Sequence, residues 1–394
     1  MAIREIIKDI YCIGVNDWDR RLFDELIPLP QGTSYNSYLI KGSEKTCIID
    51  TVDPLKVNEF ISNIDQLKID KVEYIVSHHA EQDHSGSIPY LLERFKDSKV
   101  ITNTKCRDFL IDLLHIDTSR FIVINDGDEI SLGNKRLKFI FTPWVHWPET
   151  FSTYLIEDKM AFTCDFFGAH IASSYMFADN FEEVYFSAKR YFAEIMMPFR
   201  KLVAGNIDKI SALDIKYICP SHGLVYRNPN KIIEAYREWC SDSVKNEVII
   251  PYISMHESTK LMVEYLTESL GSKGIKVIPF NLTVTDIGEL AMSLIDAATI
   301  IVGTPTVLTK AHPVVANAVF LANALRPKTK YISIIGSYGW GHKTIEHLSS
   351  MIPDIKAELI PPVFIKGSPK KDDYDLLENL AETVYNKHKT AGLL

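Results

Sequence analysis

Hydrophobic and polar positions divide the 394-residue chain into two parts with different patterns. Up to about residue 242, short apolar runs that predict strands are mixed irregularly with stretches of helical periodicity. Single strands are predicted over residues 34–42 and 46–52, with the turn signal Gly42-Ser43 between them. One long helical region is predicted over Phe181–Lys209. The pattern predicts a mixed α/β domain in which strands and helices do not alternate regularly.

The second part, from about Asn246, alternates strictly between apolar strands and helices. The first of its helices is predicted to end at Gly271, and the last of its five strands to cover residues 357–365. Nearly continuous apolar strands separated by helices indicate a parallel, doubly wound sheet. The size of this part suits the flavodoxin-like arrangement. We place the boundary in the polar segment Ser241–Glu247, which gives domains over residues 1–245 and 246–394.

Composition and charge exclude several classes of function. The chain is 46% hydrophobic and 24% charged with a net charge of −8, and it has no basic stripe of the kind that binds nucleic acid. No apolar run approaches the roughly 20 residues needed to cross a bilayer, and no secretion signal is recognised at the start. The six cysteines form no C-x-x-C pair, which favours free thiols. We therefore expect a cytoplasmic protein without a membrane span.

Metal-ligand side chains follow several apolar strands of the first part. Residues 79–84 directly follow one strand, and three more ligand-type residues come at or just after the ends of later strands. Because a strand fixes the loop after it, such side chains can converge on one point. Taken singly, each later residue is more readily explained as a hydrogen-bonded histidine or a turn-capping aspartate. Together they predict a transition-metal site. The seven residues are His79, Glu81, Asp83, His84, His146, Asp165 and His222.

The run H-x-E-x-D-H with its downstream partners resembles the metallo-β-lactamase superfamily, whose hydrolases usually read H-x-H-x-D-H and bind zinc. This chain has Glu81 at the second histidine. That variant, followed by a flavodoxin-like part, resembles the flavodiiron proteins over essentially the whole chain. The resemblance extends to the segments Gly32–Tyr38 and Gly336–Gly341. It implies a metallo-β-lactamase-like αββα sandwich followed by a flavodoxin-like doubly wound parallel sheet. A carboxylate in place of an imidazole also makes the site harder and more anionic, which favours iron.

The resemblance also implies how a di-iron centre would be held. His79, Glu81 and His146 would hold one iron, and Asp165 would bridge the pair. The second iron would be held by Asp83, His84 and His222. We expect His78, which lies beside this set, to turn its ring away, although an exchange of roles between His78 and His79 stays open. Three further residues are candidates for the surroundings of the irons, with simple packing as the equal alternative: Trp147, His170 and Tyr191.

A flavin site is predicted at three loops of the second part. The first follows the first strand and is rich in hydroxyls at a helix start, a position suited to a phosphate. It carries Glu257 where flavodoxin-type loops often have glycine. No G-x-G-x-x-G or G-K-[ST] motif is present, which favours FMN over a nicotinamide or a nucleoside triphosphate. The predicted FMN contacts are Ser254, Met255, Glu257, Ser258, Thr259, Pro305, Thr306, Val307, Leu308, Ser337, Tyr338, Gly339 and Trp340.

The function implied by this resemblance is reduction of dioxygen to water, or of nitric oxide to nitrous oxide, with electrons relayed by FMN. A head-to-tail homodimer, or a homotetramer built from it, would bring the flavin of one subunit beside the irons of another. The electron donor is expected to be separate: a rubredoxin, a flavoprotein reductase or a reduced deazaflavin. The alternatives are a dizinc hydrolase with a flavodoxin module, against which Glu81 argues, and an electron carrier in which only FMN acts.

Overall fold

The computed structural model of the protein describes residues 3–394, which divide into two compact units. Residues 3–192 and 199–240 form the first unit, and Ala193–Pro198 belongs with Ser241–Leu394 in the second. No helix of these described residues is both long enough and apolar enough to cross a membrane.

The first unit contains two main sheets and helices that cover them. Its strands are β1 (Arg4–Ile7), β2 (Ile10–Cys12), β3 (Val15–Asp17), β4 (Leu22–Phe23), β5 (Ile27–Pro28), β6 (Thr33–Tyr35), β7 (Tyr38–Lys41), β8 (Thr46–Ile49), β9 (Tyr74–Val76), β10 (Lys99–Thr102), β11 (Phe121–Val123), β12 (Glu129–Ser131), β13 (Arg136–Phe141), β14 (Phe151–Leu155), β15 (Met160–Cys164) and β16 (Tyr217–Pro220). Its helices are α1 (Val57–Gln66), α2 (Gln82–Ser85), α3 (Ile88–Arg94), α4 (Thr104–Leu114), α5 (Phe181–Tyr191), α6 (Arg200–Ser211) and α7 (Pro229–Cys240).

The first sheet has the order β1-β2-β7-β8-β9-β10-β11, and the second has the order β12-β13-β14-β15-β16. Side chains of a strand alternate between its two faces, and the cores follow this rule. In β7, Tyr38 and Ile40 pack with residues of the second sheet, such as Phe162. Leu39, between them, packs instead with Phe60 of α1 and other helix residues. The core between the sheets and the core under the helices are what an αββα sandwich requires.

Two predicted elements of the first unit are interrupted. The strand predicted over residues 34–42 is two strands, because the backbone N–H of Asn36 turns to bond the carbonyl of Ser221. The long helix predicted over Phe181–Lys209 is α5 and α6 joined by a π-helical and a 3₁₀ turn. Pro198 lies in that junction, and its missing N–H cannot continue an α-helix.

The second unit is a parallel sheet in the order β18-β17-β19-β21, with both β22 and β23 paired to the outer edge of β21. This is the 2-1-3-4-5 order of flavodoxin-like folds. Its strands are β17 (Lys245–Tyr252), β18 (Lys276–Asn281), β19 (Ala297–Val307), β20 (Lys310–Ala311), β21 (Tyr331–Tyr338), β22 (Glu358–Leu359) and β23 (Val363–Lys366). Its helices are α8 (Ser258–Ser272), α9 (Ile287–Leu294), α10 (Pro313–Leu325), α11 (Thr344–Ser349) and α12 (Lys371–Thr390).

Two details of this unit differ from the sequence prediction. The fifth predicted strand is the pair β22 and β23, because Pro361 and Pro362 between them lack the N–H groups a ladder needs. Helix α8 continues through Gly271 to Ser272, and it is Gly274 that adopts the left-handed conformation, with φ of 78°. Neither change alters the sheet order.

Candidate functional site

The seven candidate metal ligands meet at one place in the first unit, although they lie in four separate stretches of the chain. His79 and Glu81 follow β9, and Asp83 and His84 occupy the short helix α2 directly after them. The other three follow β13, β15 and β16, and they are His146, Asp165 and His222. Pairing of these strands within their sheets brings the loops together, so the structure groups every residue of the predicted set.

The first group of ligand atoms comes from His79, Glu81, His146 and Asp165, all within 4.8 Å of one another. Oε2 of Glu81 lies 3.0 Å from Nε2 of His79 and 3.1 Å from Nε2 of His146. Oδ2 of Asp165 is 3.5 Å from Nε2 of His146. Two atoms that bind one ion at about 2.1 Å, with an angle of roughly 90–120° between them, lie roughly 3.0–3.6 Å apart, so these spacings fit a metal.

The second group comes from Asp83, His84 and His222, which are all buried. Nε2 of His222 lies 3.2 Å from Oδ2 of Asp83. Asp165 faces this group with its other oxygen, because Oδ1 is 3.0 Å from Nε2 of His84 and 3.4 Å from Nε2 of His222. One carboxylate thus lies between two groups with one oxygen toward each, which is the arrangement of a bridging ligand.

Unsatisfied polar atoms and shifted pKa values show that this cluster lacks positive charge. Both carboxylate oxygens of Asp83 and Nε2 of His84 are buried and make no hydrogen bond of acceptable geometry to any described residue, which is costly unless a cation compensates. Burial disfavours the charged ring, but hydrogen bonds to Glu149 and Glu81 raise the pKa of His79 to about 10. Against the same penalty, the nearby carboxylates of Asp165 and Asp83 raise the pKa of His222 to about 10. The residues therefore fit two divalent cations.

The outward-facing ring nitrogens of two ligands are fixed by neighbours that were not predicted from sequence. Nδ1 of His79 lies 2.7 Å from Oε1 of Glu149, which is 2% exposed. Nδ1 of His222 lies 2.7 Å from the carbonyl oxygen of Ser34. Such partners set the orientation of a ligating histidine. The signal for Glu149 was its place in the run H-W-P-E after His146, whereas nothing local marks the Ser34 carbonyl.

The segment Gly32–Tyr38 has a structural task that explains its polar residues. The side-chain amide of Asn36 donates to the carbonyls of Pro220 and Gly223, at 2.9 and 2.8 Å. The hydroxyl of Tyr38 donates to the Pro220 carbonyl at 2.6 Å. The segment therefore holds the loop that carries His222.

Four further residues near the ligands have defined contacts. The hydroxyl of Tyr191 donates to Oδ1 of Asp165 at 2.8 Å, and the rings of Trp147 and His79 meet edge to face with centroids 4.7 Å apart. Nδ1 of His170 lies 2.9 Å from the hydroxyl of Thr33, and its ring is 4.9 Å from that of His222. His78 faces away from the ligand groups, because its ring nitrogens are bonded to Asp50 and Thr153.

The candidate FMN residues lie at the carboxyl ends of three adjacent strands, β17, β19 and β21. Ser254, Met255 and Glu257 connect β17 to α8, and Ser258 and Thr259 begin that helix. Pro305, Thr306 and Val307 are predicted from sequence to lie in a loop, but they continue β19 because its end pairs with β20. Leu308 follows in the turn. Ser337 and Tyr338 end β21, and Gly339 and Trp340 follow it.

Two observations show that this edge fits a flat ligand with a phosphate. The hydroxyl of Thr259, at the start of α8, is buried and has no hydrogen-bond partner within residues 3–394. A helix start of this kind offers free N–H groups to an anion. Leu308 and Trp340 are 85% and 78% exposed, which leaves apolar surface free at the same edge. Glu257 has a φ of 64°, a left-handed conformation that explains why glycine is common at this position.

A family model matches the first unit, and a known protein matches nearly the whole chain. Residues 33–223 match the family described as ODP family beta lactamase. The chain is 34% identical over 394 residues to a nitric oxide reductase of Moorella thermoacetica, covering 96% of this chain and 98% of that protein.

Two solved structures are similar over nearly the whole length. Rubredoxin oxygen:oxidoreductase from Desulfovibrio gigas superposes with a TM-score of 0.95 at 28% identity, covering 98% of this chain and 99% of that one. The flavodiiron protein from Giardia intestinalis gives a TM-score of 0.92 at 27% identity, covering 99% and 97%. With the αββα unit, the 2-1-3-4-5 sheet and the paired ligand groups, these matches show that the chain belongs to the flavodiiron proteins, oxidoreductases that bind FMN and a di-iron centre.

Proposed function

We propose that this chain reduces a small oxidant, dioxygen to water or nitric oxide to nitrous oxide, at a di-iron centre supplied with electrons through FMN. The observation that carries the proposal is the carboxylate of Asp165, which lies between two groups of histidine and carboxylate ligands. Reduced FMN and two ferrous ions would supply four electrons when bound, which suffice for one dioxygen, whereas coupling two nitric oxides requires two. The names of the Moorella and Desulfovibrio proteins support both substrates.

The proposed iron ligands are the seven residues that the structure brings together. His79, Glu81 and His146 would hold one iron, and Asp83, His84 and His222 the other, with Asp165 between them. Three of these ligands are carboxylates, and their negative charge favours a hard ion such as iron over zinc. Residues 1–245 would form the di-iron domain.

Unequal burial of the ligands indicates where a substrate reaches the centre. The side chains of Glu81 and His146 are 15% and 14% exposed, whereas that of Asp165 is 1% exposed. His222 is also almost fully buried. A gas molecule would therefore approach on the side of Glu81 and His146. On the buried side, the Tyr191 hydroxyl holds Oδ1 of Asp165 and keeps that carboxylate oriented.

FMN would bind at the carboxyl edge of β17, β19 and β21, within a domain formed by residues 246–394. The helix start at Ser258 and Thr259 and the hydroxyl of Ser254 would face its phosphate. Pro305–Leu308 and Ser337–Trp340 would contact the ring system. Met255 and Glu257 complete the loop that leads to α8.

The assembly and the partners follow from the same proposal. We expect a head-to-tail homodimer or a homotetramer, in which one subunit's flavin serves another subunit's irons, in the cytoplasm. The electron donor would be a separate rubredoxin, flavoprotein reductase or reduced deazaflavin. Size-exclusion chromatography with light scattering tests the assembly, because a fully active monomer would contradict it.

The function is tested anaerobically on the purified protein. We expect two irons and one FMN per chain, a flavin spectrum that bleaches on reduction, and rapid consumption of at least one of the two gases. His146→Asn should abolish consumption, because it removes a ligand on the exposed side. His115→Asn is the matched control, since His115 is exposed and its left-handed conformation, with φ of 54°, tolerates asparagine. Two zinc ions per chain with no consumption of either gas would refute the proposal.

A further inference from the structure

His78, the residue before His79, makes a complete set of buried hydrogen bonds in which no metal ligand takes part. Its ring is 0% exposed, and Nδ1 lies 2.7 Å from Oδ2 of Asp50. Nε2 lies 2.7 Å from the hydroxyl of Thr153. Its backbone N–H donates to Oδ1 of Asp50 at 2.9 Å. Both ring nitrogens are therefore occupied, and the ring is held at both ends.

The partners of His78 belong to different sheets. Asp50 follows β8 of the first sheet, whereas Thr153 lies within β14 of the second. The ring therefore spans the interior between the two sheets. It also meets the ring of Phe151 edge to face, with centroids 4.9 Å apart, so its plane is fixed by packing as well.

Asp50 connects His78 to the rest of the ligand loops. Its Oδ2 also accepts a hydrogen bond from the hydroxyl of Ser221 at 3.1 Å, and Ser221 directly precedes His222. The next residue, Thr51, bonds the carbonyl of His84 through both its N–H and its hydroxyl, each at 2.7 Å. The turn after β8 is thus joined to loops that carry ligands of both proposed irons.

The physical consequence of this network is rigidity. A buried carboxylate and a buried imidazole are costly when a partner is missing, so a fully satisfied network selects one arrangement of the loops. Asp50 also has a left-handed backbone, with φ of 51°, which persists in a non-glycine residue only where surrounding contacts enforce it.

We propose that His78 is a positioning residue of the metal centre: bonded to Asp50 and Thr153, it fixes the turn that presents His79 and, through Asp50 and Ser221, the loop that presents His222. The proposal rests on the proposed function, since it requires that these two histidines bind metal. It gives a role to a histidine that the sequence analysis expected only to turn its ring away from the ligands. Outer residues that orient ligands usually change metal affinity by 10–100-fold when they are removed.

The test compares two substitutions of nearly equal size. His78→Asn keeps a donor where Nδ1 lies and so keeps the bond to Asp50, but it loses the bond to Thr153. His78→Leu has a similar shape and loses both bonds. Each full-length protein is stripped of metal and titrated anaerobically with Co²⁺, whose ligand-field absorption reports coordination geometry. Near-UV circular dichroism confirms that each protein is folded.

We expect the parent to bind two Co²⁺ per chain. His78→Asn should weaken binding only a few-fold, and His78→Leu by 10-fold or more with a changed spectrum. Equal affinity and equal spectra for His78→Leu and His78→Asn would overturn the positioning role. A parent that fails to bind two ions would instead refute the proposed function.

A double-mutant cycle keeps the test decisive if His78→Leu does not fold. Thr153→Val removes the same hydrogen bond that His78→Asn removes, so each should weaken Co²⁺ binding by a similar few-fold factor. The double variant should be no weaker than either single variant, because the bond is already absent. Losses that multiply in the double variant, or no loss in either single one, would overturn the proposal.

Discussion

Nδ1 of His79 and Oε1 of Glu149 lie 2.7 Å apart at a position with almost no access to solvent. The same oxygen accepts a bond from the backbone N–H of Ala80 at 3.2 Å. Glu149 therefore fixes both the ring and the backbone of the loop that begins at His79. A carboxylate in this position also makes the opposite nitrogen, Nε2, a stronger donor to a metal.

Replacing Glu149 should weaken metal binding without unfolding the protein. We expect Glu149→Ala to lower affinity 10–100-fold, measured by competition with a chelator. Glu149→Gln should lower it less, because its amide oxygen still accepts the bond from Nδ1. The exposed Glu93 is the control site, and Glu93→Ala should leave affinity unchanged. Parental affinity in Glu149→Ala would contradict this account.

Tyr191 should tune the reduction potential of the di-iron centre through Asp165. Burial and the nearby carboxylate hold the pKa of Tyr191 well above its usual value, so its hydroxyl stays a donor. Tyr191→Phe leaves more negative charge on Asp165, which stabilises ferric iron, and the midpoint potential should fall. Redox titration followed by electron paramagnetic resonance measures it. Tyr154→Phe is the control, because the Tyr154 hydroxyl donates to the backbone carbonyl of Asp214 and not to Asp165. An unchanged or higher midpoint potential in Tyr191→Phe would contradict this role.

Glu257 should limit both stability and FMN affinity. Its left-handed backbone costs roughly 1 kcal/mol in any residue with a Cβ, and its carboxylate lies in the proposed phosphate loop. Glu257→Gly should tighten FMN binding, measured by quenching of flavin fluorescence, and raise the melting temperature. Glu257→Ala removes the same charge but keeps the strain. Both variants lose the exposed ion pair with Lys260, which contributes little. If Glu257→Gly and Glu257→Ala have the same FMN affinity and the same melting temperature, backbone strain at this position does not limit either property.

His388 should make the flavodoxin-like unit less stable in acid. The ring is fully buried, 2.7 Å from both Thr299 Oγ1 and Asn246 Oδ1, and burial lowers the pKa of His388 to about 4. Since the unfolded chain has a pKa of about 6.5, the unfolded state binds the proton more readily between these values. Stability is therefore complete above pH 6.5 and falls as the pH drops toward 4.

Hydrogen exchange of the β17 amides in the full-length holoprotein, corrected for intrinsic rates, measures this dependence. Protection should decline with acid by up to a tenfold change per pH unit, about 1.4 kcal/mol. His388→Gln, which cannot titrate, should be less stable near neutral pH. Its stability should also lack the part of the pH dependence that His388 contributes. An identical slope in the two proteins would show that another group is responsible.

The sequence by itself determined which chemistry the chain carries. The residues of H-x-E-x-D-H and the three later ligands each follow a recognisable apolar strand, and the regular alternation after Asn246 indicates a parallel doubly wound sheet. These features are local, because a few neighbouring residues are enough to identify both the strand pattern and the type of ligand. Interruptions within the predicted elements were not recognised from the sequence. Pro361 and Pro362 divide a predicted strand, and the junction near Pro198 divides a predicted helix.

Only the tertiary structure decided which groups support the ligands. Asp50 and Ser221 are 171 positions apart in the chain, and His222 and Ser34 are 188 apart, so no window of sequence contains either pair. The tertiary structure also distinguished the two neighbouring histidines: the ring of His79 faces the ligand groups, whereas the ring of His78 faces away from them. The physical reason is that successive residues after a strand point to different sides. The groups that each side chain contacts come from strands distant in sequence, which strand pairing and burial bring to that side.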